Sequence, residues 1–259
     1  MKNSGVSTTH APVSTPMAAN TKFEKLDIPE VDQHLYQSML GSLMYTAIGT
    51  HLDIMYAIHS LSQFLITPGP VQLTALKHMY HYLNSTQDLG ITFDGNQLQD
   101  GLVTYSDSDW AGDLNSRRSV SGYMFILCGA VVAWSANKQM TLVLSSTKAK
   151  YMAMTHVGKE VAFLKHTFDD IGISISFPVP LLIDNQSAIV LVENPIFHAR
   201  SRHIEVCHHW IREKVEDGTL QLKYVPTSDQ VVDIFTKVLN AEKFGKFRKI
   251  LGLVQVSTC

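Results

Sequence analysis

The sequence predicts a mixed α/β domain, entered through a polar arm and a short helical segment. Three observations carry that prediction. Between Leu35 and Leu83 apolar residues recur at intervals of three and four, the repeat of one helix face. From Leu102 onward the texture changes to short apolar runs separated by helical stretches, as in a sheet with flanking helices. Aspartates stand at the ends of two of those runs, the edge of an α/β sheet where ligands collect.

Residues 1–21 combine Ser, Thr, Pro, Ala and Asn with no apolar period and are expected to form a disordered arm. Residues 22–94 are expected to form a small helical unit. Leu40, Leu43, Met44, Ala47 and Ile48, then Ile54, Ala57, Ile58, Leu61 and Leu65, mark its amphipathic helices. Thr67-Pro68-Gly69-Pro70 breaks the pattern before a further helical stretch at about 71–83. Residues 90–93 are a strand candidate, and 94–100 a polar linker.

The larger unit, 101–254, opens with an alternating strand at 102–106 that runs into Asp107. Residues 121–127 and 131–135, joined by Cys128-Gly129-Ala130, read as a hairpin, and 142–144 as another strand. Ser145-Ser146-Thr147 caps a helix that carries Tyr151, Met154, Val157, Val161, Leu164 and Phe168, and Gly172 closes it. A buried strand at 179–183 ends in Asp184 and leads into a helix from about Gln186. A helix at 203–215, a strand at 220–225 and helices at 229–239 and 241–251 complete the unit.

Bulk properties narrow the classes. A chain of 259 residues with 45% hydrophobic content can bury a core without disulfides or a structural metal. Its net charge of −2 announces no bulk affinity for phosphates, although a local basic groove would be hidden in that sum. Cys128, Cys207 and Cys259 are too scattered for a disulfide framework or a zinc ribbon. No apolar run reaches the ~18 residues of a membrane span, and no secretory signal opens the chain. Cytoplasm or nucleus is the expected location.

Asp107 and Asp184 follow strands, and Asp233 lies in a late helix. Three carboxylates meeting at one rim would repel unless a cation sat between them. Hard oxygen ligands suit Mg2+, and two such ions roughly 3.5–4 Å apart can promote phosphodiester hydrolysis. Each aspartate alone also reads as turn or cap chemistry.

The residues around these acids are more specific. They are Tyr105-Ser106-Asp107-Ser108-Asp109-Trp110-Ala111-Gly112-Asp113, Arg117-Arg118-Ser119-Val120-Ser121-Gly122-Tyr123 and Leu144-Ser145-Ser146-Thr147-Lys148-Ala149-Lys150-Tyr151. Asp184-Asn185-Gln186-Ser187-Ala188, His203-Ile204-Glu205 and Asp233-Ile234-Phe235-Thr236-Lys237 follow in order. Over roughly 101–254 this series resembles the ribonuclease H domain of copia-type LTR retrotransposon Pol polyproteins. Upstream, Tyr36-Gln37-Ser38-Met39-Leu40-Gly41-Ser42 and Asp53-Ile54-Met55-Tyr56-Ala57 resemble the region that closes their reverse-transcriptase module. The resemblance implies a ribonuclease H-like mixed five-stranded sheet. It also implies a catalytic, metal-binding set at Asp107, Asp184 and Asp233, two Mg2+ ions, and an RNA–DNA hybrid or other nucleic acid as partner. No polymerase activity is expected, because Phe168-Asp169-Asp170 ends a helix and is not the paired-aspartate hairpin of a polymerase.

One departure decides activity. The family carries glutamate where this chain has Lys148 and Lys150, and Lys150 occupies the position of the fourth acid. Two unit charges at ~4 Å exchange about 4 kcal/mol at an effective dielectric of ~20, enough to empty a weak Mg2+ site. Glu160 lies about 15 Å further along the helix and cannot substitute. Asp109 could, if the strand aims it inward. This copy is therefore expected to be catalytically impaired, the alternatives being a non-catalytic nucleic-acid- or protein-binding module or a decayed relic; the lysines read either as decay of the site or as recruitment for phosphate contacts. Arg117, Arg118, Trp110 and Lys138 are candidate nucleic-acid contacts, each with a packing or surface alternative. Gln139 is placed near the same groove. His198, His203, His208 and His209 match no common zinc spacing.

Overall fold

The computed structural model describes residues 13–18, 21, 23, 27–109, 118–139, 145–193 and 202–256. The helical segment comprises α1 (Gln33–Gly49), α2 (Met55–Ser62) and α3 (Pro70–Asn84). Asp32 caps α1, accepting from the backbone amides of His34 and Leu35 at 2.9 and 3.1 Å. A short strand β1 (Leu89–Ile91) and a 3-10 turn over Gly95–Asp100 lead to the sheet.

The sheet strands are β2 (Val103–Asp109), β3 (Val120–Leu127) and β4 (Ala130–Lys138). Helix α4 (Ser146–Asp170) follows, then β5 (Val179–Ile183), α5 (Gln186–Glu193), α6 (Arg202–Glu216) and β6 (Leu220–Tyr224). Single-turn α7 (Asp233–Thr236), α8 (Ala241–Ile250) and β7 (Leu253–Gln255) complete the fold. The five-stranded order is β4-β3-β2-β5-β6, antiparallel from β4 to β2 and parallel from β2 to β6. This is the ribonuclease H-like mixed sheet that the resemblance implies.

Each face of the sheet buries its own core. On one face α4 lays Tyr151, Met154, Val157 and Val161 against Phe125, Leu181 and Ile183. On the other, α1 to α3, α7 and α8 pack on Met124, Val131 and Ala136 of the hairpin. The helical segment and the sheet therefore share one hydrophobic core. Met17, within the arm expected to be disordered, is buried in it at 5% exposure, because its side chain finds apolar partners there.

A buried polar relay crosses the same interface. The Tyr82 hydroxyl donates to Asp53 Oδ2 and accepts from Arg248 Nη1 at 3.1 Å. His51 Nδ1 stands 3.5 Å from Asp53 Oδ1.

Two features differ from the sequence reading. The first sheet strand continues two residues past Asp107, because Ser108 and Asp109 keep their pairing with Ser121 and Val120. The helix expected at 229–239 shrinks to a 3-10 turn at Thr227–Asp229 and the single turn α7. Gln230 is extended and fully buried, its amide donating to the Ser106 carbonyl oxygen at 3.1 Å, and that anchor interrupts the helix. The strand expected at 90–93 forms at Leu89–Ile91, in an antiparallel clasp in which Leu89, Gly90 and Ile91 pair with Gln255, Val254 and Leu253. The strand expected at 142–144 lies outside the described residues. Among the described residues no helix is long and apolar enough to cross a membrane.

Candidate functional site

Strand β2 delivers Asp107 and Asp109 to one face, two residues apart in a period-two strand. Asp184 follows β5, the parallel neighbour of β2, so its carboxylate reaches the same rim. Asp233 is the first residue of α7, which lies across β2 and β3. The fold thus brings together the three aspartates singled out from sequence.

Lys150 joins them. Ser145 caps α4, accepting from the Lys148 amide at 3.3 Å, which sets Lys150 in the first turns of that helix. Its ammonium stands 3.0 Å from Asp107 Oδ1 and donates to Asp184 Oδ1. The helix start is fixed by Gln139, whose buried amide donates to Ser121 Oγ at 2.7 Å and to the Ala149 carbonyl oxygen at 2.8 Å. Gln139 is thus a strut beneath Lys150, buried rather than facing a groove.

Two further lysines complete the cluster. Lys237 Nζ lies 2.7 Å from Asp233 Oδ1 and 3.8 Å from Asp107 Oδ2. Lys243 Nζ, from α8, lies 2.8 Å from Asp233 Oδ2 and also donates to the Thr227 carbonyl oxygen at 3.0 Å. The Thr236 hydroxyl donates to Asp107 Oδ2 at 3.0 Å, and that of Thr227 to Asp184 Oδ2 at 3.1 Å. Every oxygen of the three carboxylates thus faces an ammonium or a hydroxyl. At Asp107 Oδ1 and Asp233 Oδ1 the contact is an ion pair without hydrogen-bond alignment.

Charge and burial compete throughout. Burial by itself would raise the Asp107 carboxyl, but the Lys150 and Lys237 charges outweigh it and hold it below the usual aspartate range. Burial would likewise discharge Lys150 and Lys237, yet the neighbouring carboxylates, Asp107 foremost, keep both above the ordinary lysine range. Asp109 is pushed up by burial, with Lys237 pulling the other way. Burial also raises Asp233, against two ammonium groups at 2.7 and 2.8 Å that pull the other way.

A glycine makes this packing possible. Gly122 of β3 pairs with Asp107, and a Cβ there would meet Val232 Cγ1 at 2.7 Å and Thr236 Cγ2 at 2.9 Å. Its bare backbone lets α7 settle on the sheet and bring Thr236 and Asp233 to Asp107. Gly122 lies in the Arg117–Tyr123 motif, but the need for it appears only once α7 packs above it.

Divalent ions do not fit this arrangement. The gap between Asp107 and Asp184 is filled by the Lys150 ammonium. Among the described residues no group of three or more His, Cys, Asp or Glu is set to hold a metal. Of the other sequence candidates, Arg118 is exposed beside β3 and Lys138 donates to Gln63 Oε1 at 3.3 Å, on the side of α2. Trp110 and Arg117 lie outside the described residues, as do the side chains of His198, His203 and His208. Glu160 accepts from the Tyr123 hydroxyl at 3.2 Å and takes no part in the cluster.

No family model matches the chain. It is 36% identical over 249 residues to a retrovirus-related Pol polyprotein from transposon TNT 1-94 of Nicotiana tabacum, an alignment covering 93% of this chain and 18% of that protein. A secreted RxLR effector protein of Plasmopara viticola is 45% identical over 129 residues, covering 50% of this chain and 90% of that one. Among solved structures, the N-terminal RNase H domain of a Mycobacterium tuberculosis protein aligns at 10% identity with a TM-score of 0.40, covering 57% of this chain and 96% of that one.

Proposed function

The chain belongs to the Pol polyproteins of copia-type retrotransposons, spanning less than a fifth of their length, and we propose that its ribonuclease H-like domain is catalytically impaired. Residues 101–254 are that domain, and residues 22–94 the closing part of a reverse-transcriptase module without polymerase chemistry of their own. The activity inherited with the family is hydrolysis of the RNA strand of RNA–DNA hybrids, with divalent ions, Mg2+ by ligand type, held by Asp107, Asp184, Asp233 and a fourth acid. The observation that carries the proposal is the Lys150 ammonium seated between Asp107 and Asp184. It removes one ligand and puts a positive charge where a cation would bind, so no hydrolytic step is assigned to this chain.

Binding without cleavage is a second reading, supported by the exposed Arg118 next to the rim. Trp110, Arg117 and Lys138 are the other candidate contacts to a hybrid met in cytoplasm or nucleus. The test is incubation of a labelled RNA–DNA hybrid with the chain and its Lys150→Glu variant in Mg2+ or Mn2+. The parent is expected to leave the RNA strand intact and the variant to recover part of the cleavage. Robust metal-dependent cleavage by the parent would overturn the proposal, and a gel shift without cleavage selects the binding reading.

A further inference from the structure

We infer that the ammonium groups of Lys150, Lys237 and Lys243 are the resident cations of the acid cluster, making its fold independent of divalent metal, and that Lys150 alone bars such ions from Asp107 and Asp184. The inference rests on the reading of this rim as a former hydrolase cation site.

Charge balance is the first support. The three ion-paired carboxylates face three ammonium groups, so each has a positive partner without any ion. Leaving Asp107 or Asp233, at 1% and 0% side-chain exposure, buried without a charge partner would be strongly destabilising.

The three lysines are not equivalent. The side chains of Lys237 and Lys243 are 36% and 26% exposed, so either can swing into solvent and release its carboxylate. Lys150 is 15% exposed and is bracketed by two carboxylates, one on β2 and one just past the end of β5. Its stem leaves the start of α4, which Ser145 and Gln139 pin to the sheet. A divalent ion entering between Asp107 and Asp184 must therefore displace an ammonium that has nowhere comparable to go. A tethered cation also has no dissociation step to lose.

The experiment measures metal binding rather than turnover. Thermal unfolding of the whole chain is followed with EDTA, Mg2+ or Mn2+, and Mn2+ binding is read from its electron-spin-resonance signal. For the parent, the unfolding midpoint is expected to be the same in EDTA and Mn2+, with no saturable Mn2+ binding at the cluster. In Lys150→Glu four carboxylates face two ammonium groups. Its midpoint should fall in EDTA and rise saturably with Mn2+. Reversing one charge within ~4 Å should tighten Mn2+ binding by about a hundredfold or more. Adding Asp184→Asn to that variant should abolish the gain. If Lys150→Glu does not fold without metal, Lys150→Gln carries the same test with a smaller gain. A parent that is stabilised by Mn2+ as strongly as the variants would overturn the inference, and so would variants that bind no tighter than the parent. A parent that cleaves hybrid in Mn2+ sinks the proposed function and this inference together, whereas an inactive parent whose variants gain no Mn2+ sinks only this inference.

Discussion

At the rim, the carboxylates of buried Asp107 and Asp233 and half-buried Asp184 meet three ammonium groups, whereas at the junction of the helical segment with α8 the buried carboxylate of Asp53 meets a phenol, with a guanidinium beyond it. Both sites bury aspartate to about 1% exposure or less, yet they neutralise it differently. The rim relies on direct charge pairs, so removing one partner strands a charge. The junction relies on a hydrogen-bonded relay in which Tyr82 passes the influence of Arg248 to Asp53. The contrast teaches that the lysines are built into the rim's stability, even though they oppose the chemistry its acids suggest.

The largest break in that contrast should come from Lys150→Met, which leaves Asp107 and Asp184 facing an apolar side chain. Loss of about 3–5 kcal/mol in urea unfolding is expected, the cost of breaking a buried pair. A loss below about 1 kcal/mol would mean that the ion pairs are incidental. Tyr82→Phe tests the junction: it removes the donor to Asp53 and should cost about 1–3 kcal/mol by the same measurement. Gly122→Ala pushes α7 off the sheet and should cost about 1–3 kcal/mol through overpacking. Its crystal structure should show Thr236 drawn away from Asp107.

The pH dependence sharpens the comparison. Lys150 and Lys237 titrate above the ordinary lysine range in the folded chain. Their stabilising contribution is complete below lysine's usual value of ~10.4 and is lost as pH rises through the raised folded values. Urea midpoints should therefore fall on the alkaline side, and less steeply in Lys150→Met, which has one such group fewer. At the small end, Lys246 pairs with Asp229 at 2.6 Å on the open surface, and Lys246→Ala should leave the midpoint where it was.

How much of this was legible beforehand follows from the range of each interaction. The aspartates and Lys150 sit in long local motifs, so their meeting at one rim could be expected from the chain. The Ser145 cap and the stop at Gly172, which has φ +76°, are local signals as well. Lys243 could not be found, because it comes from another helix and acts only after α8 folds back over α7. The breaks around α7 and the need for Gly122 likewise depend on contacts between segments more than 100 residues apart in sequence. Asp53 lies in the Asp53–Ala57 motif, but its partner Tyr82, and Arg248 beyond it, lie on other helices.

The pairing of β1 with β7 has a mechanical consequence. Leu89–Ile91 and Leu253–Gln255 buckle the helical segment to the far end of the chain, and the Val256 amide adds a bond to the Asp88 carbonyl oxygen at 2.7 Å. A protease that severed the Gly95–Asp100 turn would nick the backbone without parting the halves, which would still migrate together until denatured.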